Sequence, residues 1–213
     1  MSAGIDHVIV LAAGRGTRAG GPKALHRVGT EQWWTVQQKR LVRVGLPVTW
    51  VVSERVRAGM AEGGTMPERV VIADEHAPMF ASVLAGMDGL ARTWREPHTG
   101  EPPSSVRGVF VLPVDVPAPG RVVLTRLAGA LNSSEGAVAA IPMHDGRHGH
   151  PVYVSWAFVS ARVLAAEQSA EARLDRLIGS ARVEVPVEDS CVLVNLNTPE
   201  DFEEWARREW GVG

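Results

Sequence analysis

The amino-acid sequence predicts an α/β domain in which helices cover both faces of a mostly parallel, mixed sheet. Three observations predict it. Short β-branched runs alternate with longer segments of helical period, the pattern of successive βαβ units. Several runs are apolar throughout, as in Val109-Phe110-Val111-Leu112, which is what a strand buried on both faces requires. The chain has 213 residues, 45% of them hydrophobic and 22% charged, the size and composition of one ordinary globular domain with a three-layer core.

In order along the chain, strands are expected at 7–12, 47–53, 69–73, 108–112, 136–141, 151–154 and 182–187, with a last short one near 192–195. Helices are expected at 31–44, 54–62, 79–92, 119–131, 157–166, 170–178 and 199–209. The stretch from Pro97 to Gly108 carries three prolines, two glycines and two serines and reads as a surface loop. With no internal repeat, low-complexity tract or charge block, residues 1–213 read as one domain. The Trp33-Trp34 pair opens the first long helix, and helical periodicity places one of the two in the core.

Bulk properties exclude several function classes. A formal net charge of −2 gives no electrostatic reason to expect nucleic acid or an anionic membrane as a partner. No apolar stretch approaches the ~20 residues of a membrane helix. Met1-Ser2-Ala3-Gly4-Ile5-Asp6 lacks the basic-then-apolar order of a signal peptide, and the single Cys191 can form no internal disulfide. The expectation is a cytoplasmic protein.

Ligands of such folds bind outside the carboxyl ends of the strands, so the loops after residues 12, 53, 73, 112, 141 and 195 are where chemistry is expected. The first is the richest: Leu11-Ala12-Ala13-Gly14-Arg15-Gly16-Thr17-Arg18-Ala19-Gly20-Gly21-Pro22-Lys23. Glycines and small residues let a backbone approach a ligand and turn its N–H groups toward an anion. Arg15, Arg18 and Lys23 add cations for a polyphosphate, Arg18 as a fork and Lys23 as a compact point charge. Gly14-x-Gly16-x-x-Ala19 also satisfies the dinucleotide fingerprint, but Gly20-Gly21-Pro22 would break the helix that fingerprint opens. The acidic residue expected ~20 positions on is missing as well. No Gly-Lys-Ser/Thr occurs, which removes a Walker A loop.

Further residues gather at other strand ends. Asp115, in Leu112-Pro113-Val114-Asp115-Val116-Pro117, suits a Mg²⁺ ligand or a helix cap. Asp74 and Glu75 follow the third strand, and Ser82 lies near a helix start where a capping role competes with ligand contact. Met143 to Pro151 holds His144, Asp145, Arg147, His148 and His150; a lid or acceptor-phosphate loop, solvated surface and a metal site are its three readings. In Asn195-Leu196-Asn197-Thr198-Pro199-Glu200-Asp201, Thr198 and Pro199 read as a helix start, while Asn195 and Asn197 occupy alternate strand positions.

Leu11 to Arg18 with Lys23 resembles the signature of nucleotidyltransferases that include sugar-phosphate nucleotidyltransferases, methylerythritol-phosphate cytidylyltransferase and the molybdopterin guanylyl- and cytidylyltransferases. The resemblance implies a Rossmann-like three-layer α/β/α domain. It also implies that backbone at Leu11, Ala12 and Ala13 holds base and ribose within a nucleotide loop spanning Gly14, Arg15, Gly16 and Thr17. Arg18 would grip the outer phosphates, and Lys23 would neutralise charge at the α-phosphate. Asp115-Val116-Pro117 matches the family's Asp-x-Pro, making Asp115 the carboxylate on Mg²⁺.

Val71-Ile72-Ala73-Asp74 and the segment from Ser82 resemble nucleotide- and base-contacting segments. Gly149-His150-Pro151-Val152 resembles the turn before the substrate-side strand of the molybdopterin transferases, and Asn195-x-Asn197 resembles their guanylyl branch. Arg147, His148, His150, Asn195 and Asn197 are thus expected at the acceptor. Ala13, where guanylyl relatives carry glycine, resembles the cytidylyl branch instead, so CTP and GTP both stand as donors. The implied reaction is in-line attack by an acceptor phosphate oxygen on the α-phosphorus, with Mg²⁺ assistance, pyrophosphate release and no covalent intermediate. The acceptor implied is of molybdopterin type, as in molybdenum cofactor biosynthesis. A sugar-phosphate or other small acceptor, a nucleotide-binding regulator without turnover and an NAD-dependent enzyme are the alternatives.

Overall fold

The computed structural model describes residues 5–94, 106–166 and 172–211. Strand β1 (Ile5–Ala12) leads through a glycine-rich loop to a small hairpin, β2 (Arg27–Val28) and β3 (Glu31–Gln32). There follow α1 (Trp33–Val44), β4 (Val48–Val52), α2 (Glu54–Gly63), β5 (Val70–Ile72), α3 (Met79–Trp94), β6 (Val106–Pro113) and α4 (Arg121–Asn132). The second half comprises β7 (Ala139–His144), β8 (Arg147–His148), β9 (Val152–Ser155), α5 (Trp156–Phe158), α6 (Leu174–Ile178), β10 (Arg182–Pro186) and α7 (Pro199–Trp210).

The main sheet runs β10-β7-β9-β6-β1-β4-β5, with β8 added to β7. Strand β9 is antiparallel to both neighbours, while β1 is parallel to β4 and β6. Alternation along β1 sends Val8, Val10 and Ala12 into a core with α1, α2, α4 and α7, and Ile9 and Leu11 into a core with α3 and the α5–α6 region. This is the expected three-layer arrangement, and two-sided burial explains the unbroken apolar runs. Strand order reverses between β1 and β6, which pair Leu11 with Pro113. Such a switch point opens a crevice at the carboxyl ends, and there the loops after β1 and β6 face one another.

Most element ends fall within one or two residues of expectation; the departures have local causes. Residues 192–195 form no strand. Ser190–Leu193 is a 3₁₀ turn whose N-cap, Asp189, accepts from the Cys191 N–H, so the alternation Val192-Val194 there is not a strand pattern. The helix expected at 157–166 is short, passing into a π-type turn at Val159–Val163. Of the helix expected at 170–178, α6 begins at Leu174, and residues 170–171 lie outside the described residues. The part of the expected loop at 97–105 also lies outside them, while 106–108 belong to β6.

Both Trp33 and Trp34 are buried, not one. The Trp33 ring meets Phe202 and Trp205 edge-on at 5.5 and 4.8 Å, which fastens α7 to α1. The Trp34 Nε1–H is satisfied by Gln32 Oε1 at 2.6 Å, so its burial leaves no orphan donor. No helix among the described residues is long and apolar enough to cross a membrane.

Candidate active site

After Ala12 the chain leaves the sheet and coils back on itself. Gly16 adopts the left-handed region at φ 59°, and its carbonyl accepts from the N–H groups of Ala19 (2.9 Å) and Gly21 (3.1 Å). A Cβ at Gly16 would stand 1.9 Å from the Gly21 carbonyl oxygen, so only glycine fits this turn. At Gly14 a Cβ would meet nothing within 4 Å. The same loop therefore uses one glycine for its own closure and presents the other to open space.

That space is a cavity of about 480 Å³ lined by Leu11, Ala13, Gly14, Gly16, Thr17, Arg18, Lys23, Asp74, Ser82, Asp115, His150 and Asn195, among others. The fold thus brings to one place residues from six segments spanning most of the chain. Arg18 is exposed at the cavity and has no ion-pair partner among the described residues, leaving its guanidinium available to an anion. Ala12 is buried behind the loop, and the exposed Arg15 does not line the cavity. Ser82 is no helix cap. It lies inside α3, buried at the cavity wall. Asp74 caps its own turn, accepting from the His76 N–H at 2.9 Å. Beside it Glu75 also lines the cavity, and its buried Oε2 lacks a hydrogen-bond partner among the described residues.

Across the cavity, Lys23 Nζ donates to Asp115 Oδ2 at 2.6 Å and to Asn197 Oδ1 at 2.8 Å. Asp115 does not cap α4, whose N-cap is Gly120. Its turn is held from all sides. The Val114 N–H donates to the Leu11 carbonyl (3.0 Å), and the Asp115 carbonyl accepts from the Leu196 N–H (2.9 Å). Trp33 Nε1–H donates to the Val114 carbonyl at 2.5 Å. Asn195 and Asn197 do not sit in a strand: Asn195 lines the cavity, and Asn197 is tied back by Nδ2 to the Asn195 carbonyl at 3.2 Å. Asp201 accepts from the N–H groups of Asn197 and Thr198, both at 2.8 Å, and these bonds hold its carboxyl below the usual range.

A model of a MobA-like NTP transferase domain matches residues 8–185. The chain belongs to this family. The MobA-like domain makes it a nucleotidyltransferase. A curated relative, the molybdenum cofactor guanylyltransferase of Sinorhizobium fredii, is 26% identical over an alignment covering 94% of this chain and 91% of the relative. Two solved structures share the fold. A homologue, from Mycobacterium sp. strain JC1, of Mycobacterium tuberculosis Rv0371c gives a TM-score of 0.73 at 19% identity over 98% of both chains. The molybdopterin-guanine dinucleotide biosynthesis protein A of Archaeoglobus fulgidus gives 0.63 at 18% identity, covering 96% of this chain and 98% of that one.

In this MobA-like domain the histidine loop divides. Arg147 and His148 form β8 on an exposed hairpin, where His148 Nε2 meets Glu184 Oε1 at 2.7 Å; neither lines the cavity. No cluster of three or more metal-ligating His, Cys, Asp or Glu occurs among the described residues, so the histidines do not converge as a metal site would. His150 turns the other way. Its N–H donates to the Val192 carbonyl at 2.9 Å, and Gly149 passes so close to Val192 that a Cβ would lie 2.4 Å from the same oxygen. Burial lowers the His150 pKa, with the Asp115 carboxylate opposing it.

His150 also marks the boundary with a second cavity of about 510 Å³, which shares Leu11, Met79, Pro113 and His150 with the first. Its walls include Phe80, Val83, Ile141, Val152 and Ile178, with Arg173 and Arg182 among its few charged groups.

Sequence reasoning did not single out Gln37. Its buried side chain donates from Nε2 to the Val114 and Val116 carbonyls and accepts from the Ala118 N–H. The signal was a polar residue on the buried face of α1, among Trp33, Trp34, Val36, Leu41 and Val44.

Proposed function

We propose that residues 1–213 act as one nucleotidyltransferase domain that transfers a nucleotidyl group from CTP or GTP to a phosphorylated acceptor of molybdopterin type, releasing pyrophosphate. One observation carries the reading: Lys23, Asp115 and the glycine-rich loop face each other across a single cavity. Backbone at Leu11 and Ala13, with Ser82 and Asp74, lines the part suited to base and ribose. Gly14, Gly16, Thr17 and Arg18 suit the phosphates. The molybdenum cofactor guanylyltransferase activity named for the relative supports the acceptor class, and the single, half-buried thiol of Cys191 suits a reducing cytoplasm.

The donor set fits Mg²⁺. The Lys23 ammonium already stands between two oxygens, Asp115 Oδ2 and Asn197 Oδ1, and a hard divalent cation takes one or two carboxylates with phosphate oxygens and water. Asp115 would hold it, with Asn195 and Asn197 as neutral neighbours. Bound there, the metal would neutralise charge on the phosphate oxygens.

The chain's own groups orient the reaction. The loop fixes the triphosphate by backbone and by Arg18. Lys23, drawn toward the α-phosphate, stabilises charge that grows as the acceptor oxygen attacks in line. His150, kept neutral by burial, faces both cavities and offers a hydrogen bond to the acceptor phosphate. The apolar second cavity receives the acceptor's organic body. A regulatory reading without turnover draws on the neutral amides at Asn195 and Asn197, which contribute less to holding Mg²⁺ than carboxylates do.

The test measures binding of CTP, GTP, ATP and UTP, and pyrophosphate release with each, with and without molybdopterin. Acceptor-dependent release with GTP or CTP alone is expected. Tight binding with no release favours the regulatory reading, and release driven only by a sugar phosphate replaces the acceptor.

A further inference from the structure

We propose that Gln37, which lies behind the cavity wall on α1, is a positioning residue that sets where the Asp115 carboxylate stands. This rests on the nucleotidyl-transfer reading for its consequence in turnover, but not for its geometry. Buried backbone groups must find partners, and the turn from Pro113 to Ala118 has little means of its own. Pro113 and Pro117 bring no N–H, residues 114–118 lie between the end of β6 and the start of α4, and within the turn the Val116 N–H donates to the Pro113 carbonyl at 3.1 Å.

Trp33 Nε1–H shares the Val114 carbonyl and Arg40 Nε–H reaches the Ala118 carbonyl, but one side-chain amide ties three groups of the turn together. Gln37 Nε2 donates to the Val114 carbonyl at 3.0 Å and the Val116 carbonyl at 2.6 Å, while its Oε1 accepts from the Ala118 N–H at 2.8 Å. Two acceptors and one donor in the turn fix which end of the amide is nitrogen. The anchored carbonyls flank Asp115 on either side, so they define the backbone from which its carboxylate projects. The Asp115 carbonyl is held from the far side by the Leu196 N–H. Leu196 adjoins Asn197, the second acceptor of Lys23. The register between Asp115, Lys23 and Asn197 thus runs back to Gln37.

Nothing else explains a glutamine there. Gln37 is fully buried on the apolar face of α1, where an amide is costly unless bonded. The hydrogen bonds its side chain makes all go to the turn that carries Asp115.

The chain's two lysines give a direct readout. Lys23 is covered by Asp115 and Asn197, whereas Lys39 is exposed and, among the described residues, pairs with Glu31 alone. Competitive labelling with limiting acetic anhydride, read by mass spectrometry, reports Lys23 against Lys39 as an internal reference. In Gln37→Met, labelling of Lys23 relative to Lys39 should rise several-fold. Pyrophosphate release should fall at least roughly tenfold, as misplacement of a catalytic group does. If Gln37→Met does not fold, Gln37→Glu decides, since it keeps the shape and the acceptor for Ala118 but cannot donate to both carbonyls. A wild-type labelling ratio and turnover in a folded variant, with only the melting temperature lowered, would overturn the proposal. A wild-type protein that releases no pyrophosphate defeats the transfer reading instead, and the labelling ratio still decides the role of Gln37.

Discussion

Lys23 and Asp115, 92 residues apart in sequence, meet at 2.6 Å across the mouth of the cavity, with side chains 15% and 21% exposed. A paired lysine and carboxylate of this kind could be a structural clasp or the two charged halves of a phosphate site, and the two roles differ in what their loss costs. Partly exposed pairs contribute only about 1 kcal/mol to stability. Lys23→Ala and Asp115→Ala should therefore melt within a few degrees of the wild type while losing pyrophosphate release. Thermal melts beside a coupled pyrophosphate assay check this; full release from either variant would contradict the assigned roles.

Gly14 and Gly16 of the loop should separate ligand contact from closure. Gly16→Ala forces a side chain into the left-handed region, a cost of about 1–2 kcal/mol, and against the Gly21 carbonyl oxygen. It should lower both the melting temperature and triphosphate affinity. Gly14→Ala meets no protein atom within 4 Å, so it should leave the melt unchanged and weaken triphosphate binding alone. Calorimetric titration of both variants with GTP and CTP, alongside their melts, tests the contrast; equal effects of the two substitutions on stability would refute it.

Acid should loosen the fold through His7. Its pKa is lowered from 6.5 to about 3, chiefly by burial and secondly by Arg69, and its Nε2 meets Thr49 Oγ1 at 2.9 Å. The unfolded chain takes up this proton near pH 6.5 and the folded one only near pH 3. The contribution is thus fully present above pH 6.5 and is lost progressively as pH falls toward 3. By pH 5 the loss from this group is about 2 kcal/mol. Urea unfolding of wild type and His7→Asn between pH 7.5 and 5 should show the variant less stable at the upper end with a shallower decline. Parallel declines would rule out His7 as the cause.

The glycine-rich loop and Asp115 were legible because their chemistry is local: consecutive residues after a buried strand build each loop, and the switch point between β1 and β6 then brings both together. Arg147 and His148 lie only three and two residues before His150, yet the β7–β8 hairpin carries them to the exposed surface while Gly149 and His150 dock on Val192, a divergence that sequence proximity does not reveal. Asn195 and Asn197 imitated a strand because Val192 and Val194 alternate with other residues; Asp189 bends that segment into a 3₁₀ turn instead. Gln37 stayed hidden for a different reason. Its partners lie 77 to 81 residues away, and a polar residue on an apolar stripe declares a buried partner without naming it.

A transferase cavity moves a nucleotidyl group rather than merely holding or hydrolysing a triphosphate. Incubation with GTP or CTP labelled at the α-phosphorus, in the presence of molybdopterin and Mg²⁺, tests it most directly. Label is expected in the acceptor, with one pyrophosphate released for each label transferred, and neither product is expected from Asp115→Ala. Label recovered only as free nucleotide, or transfer by Asp115→Ala at the wild-type rate, would contradict it.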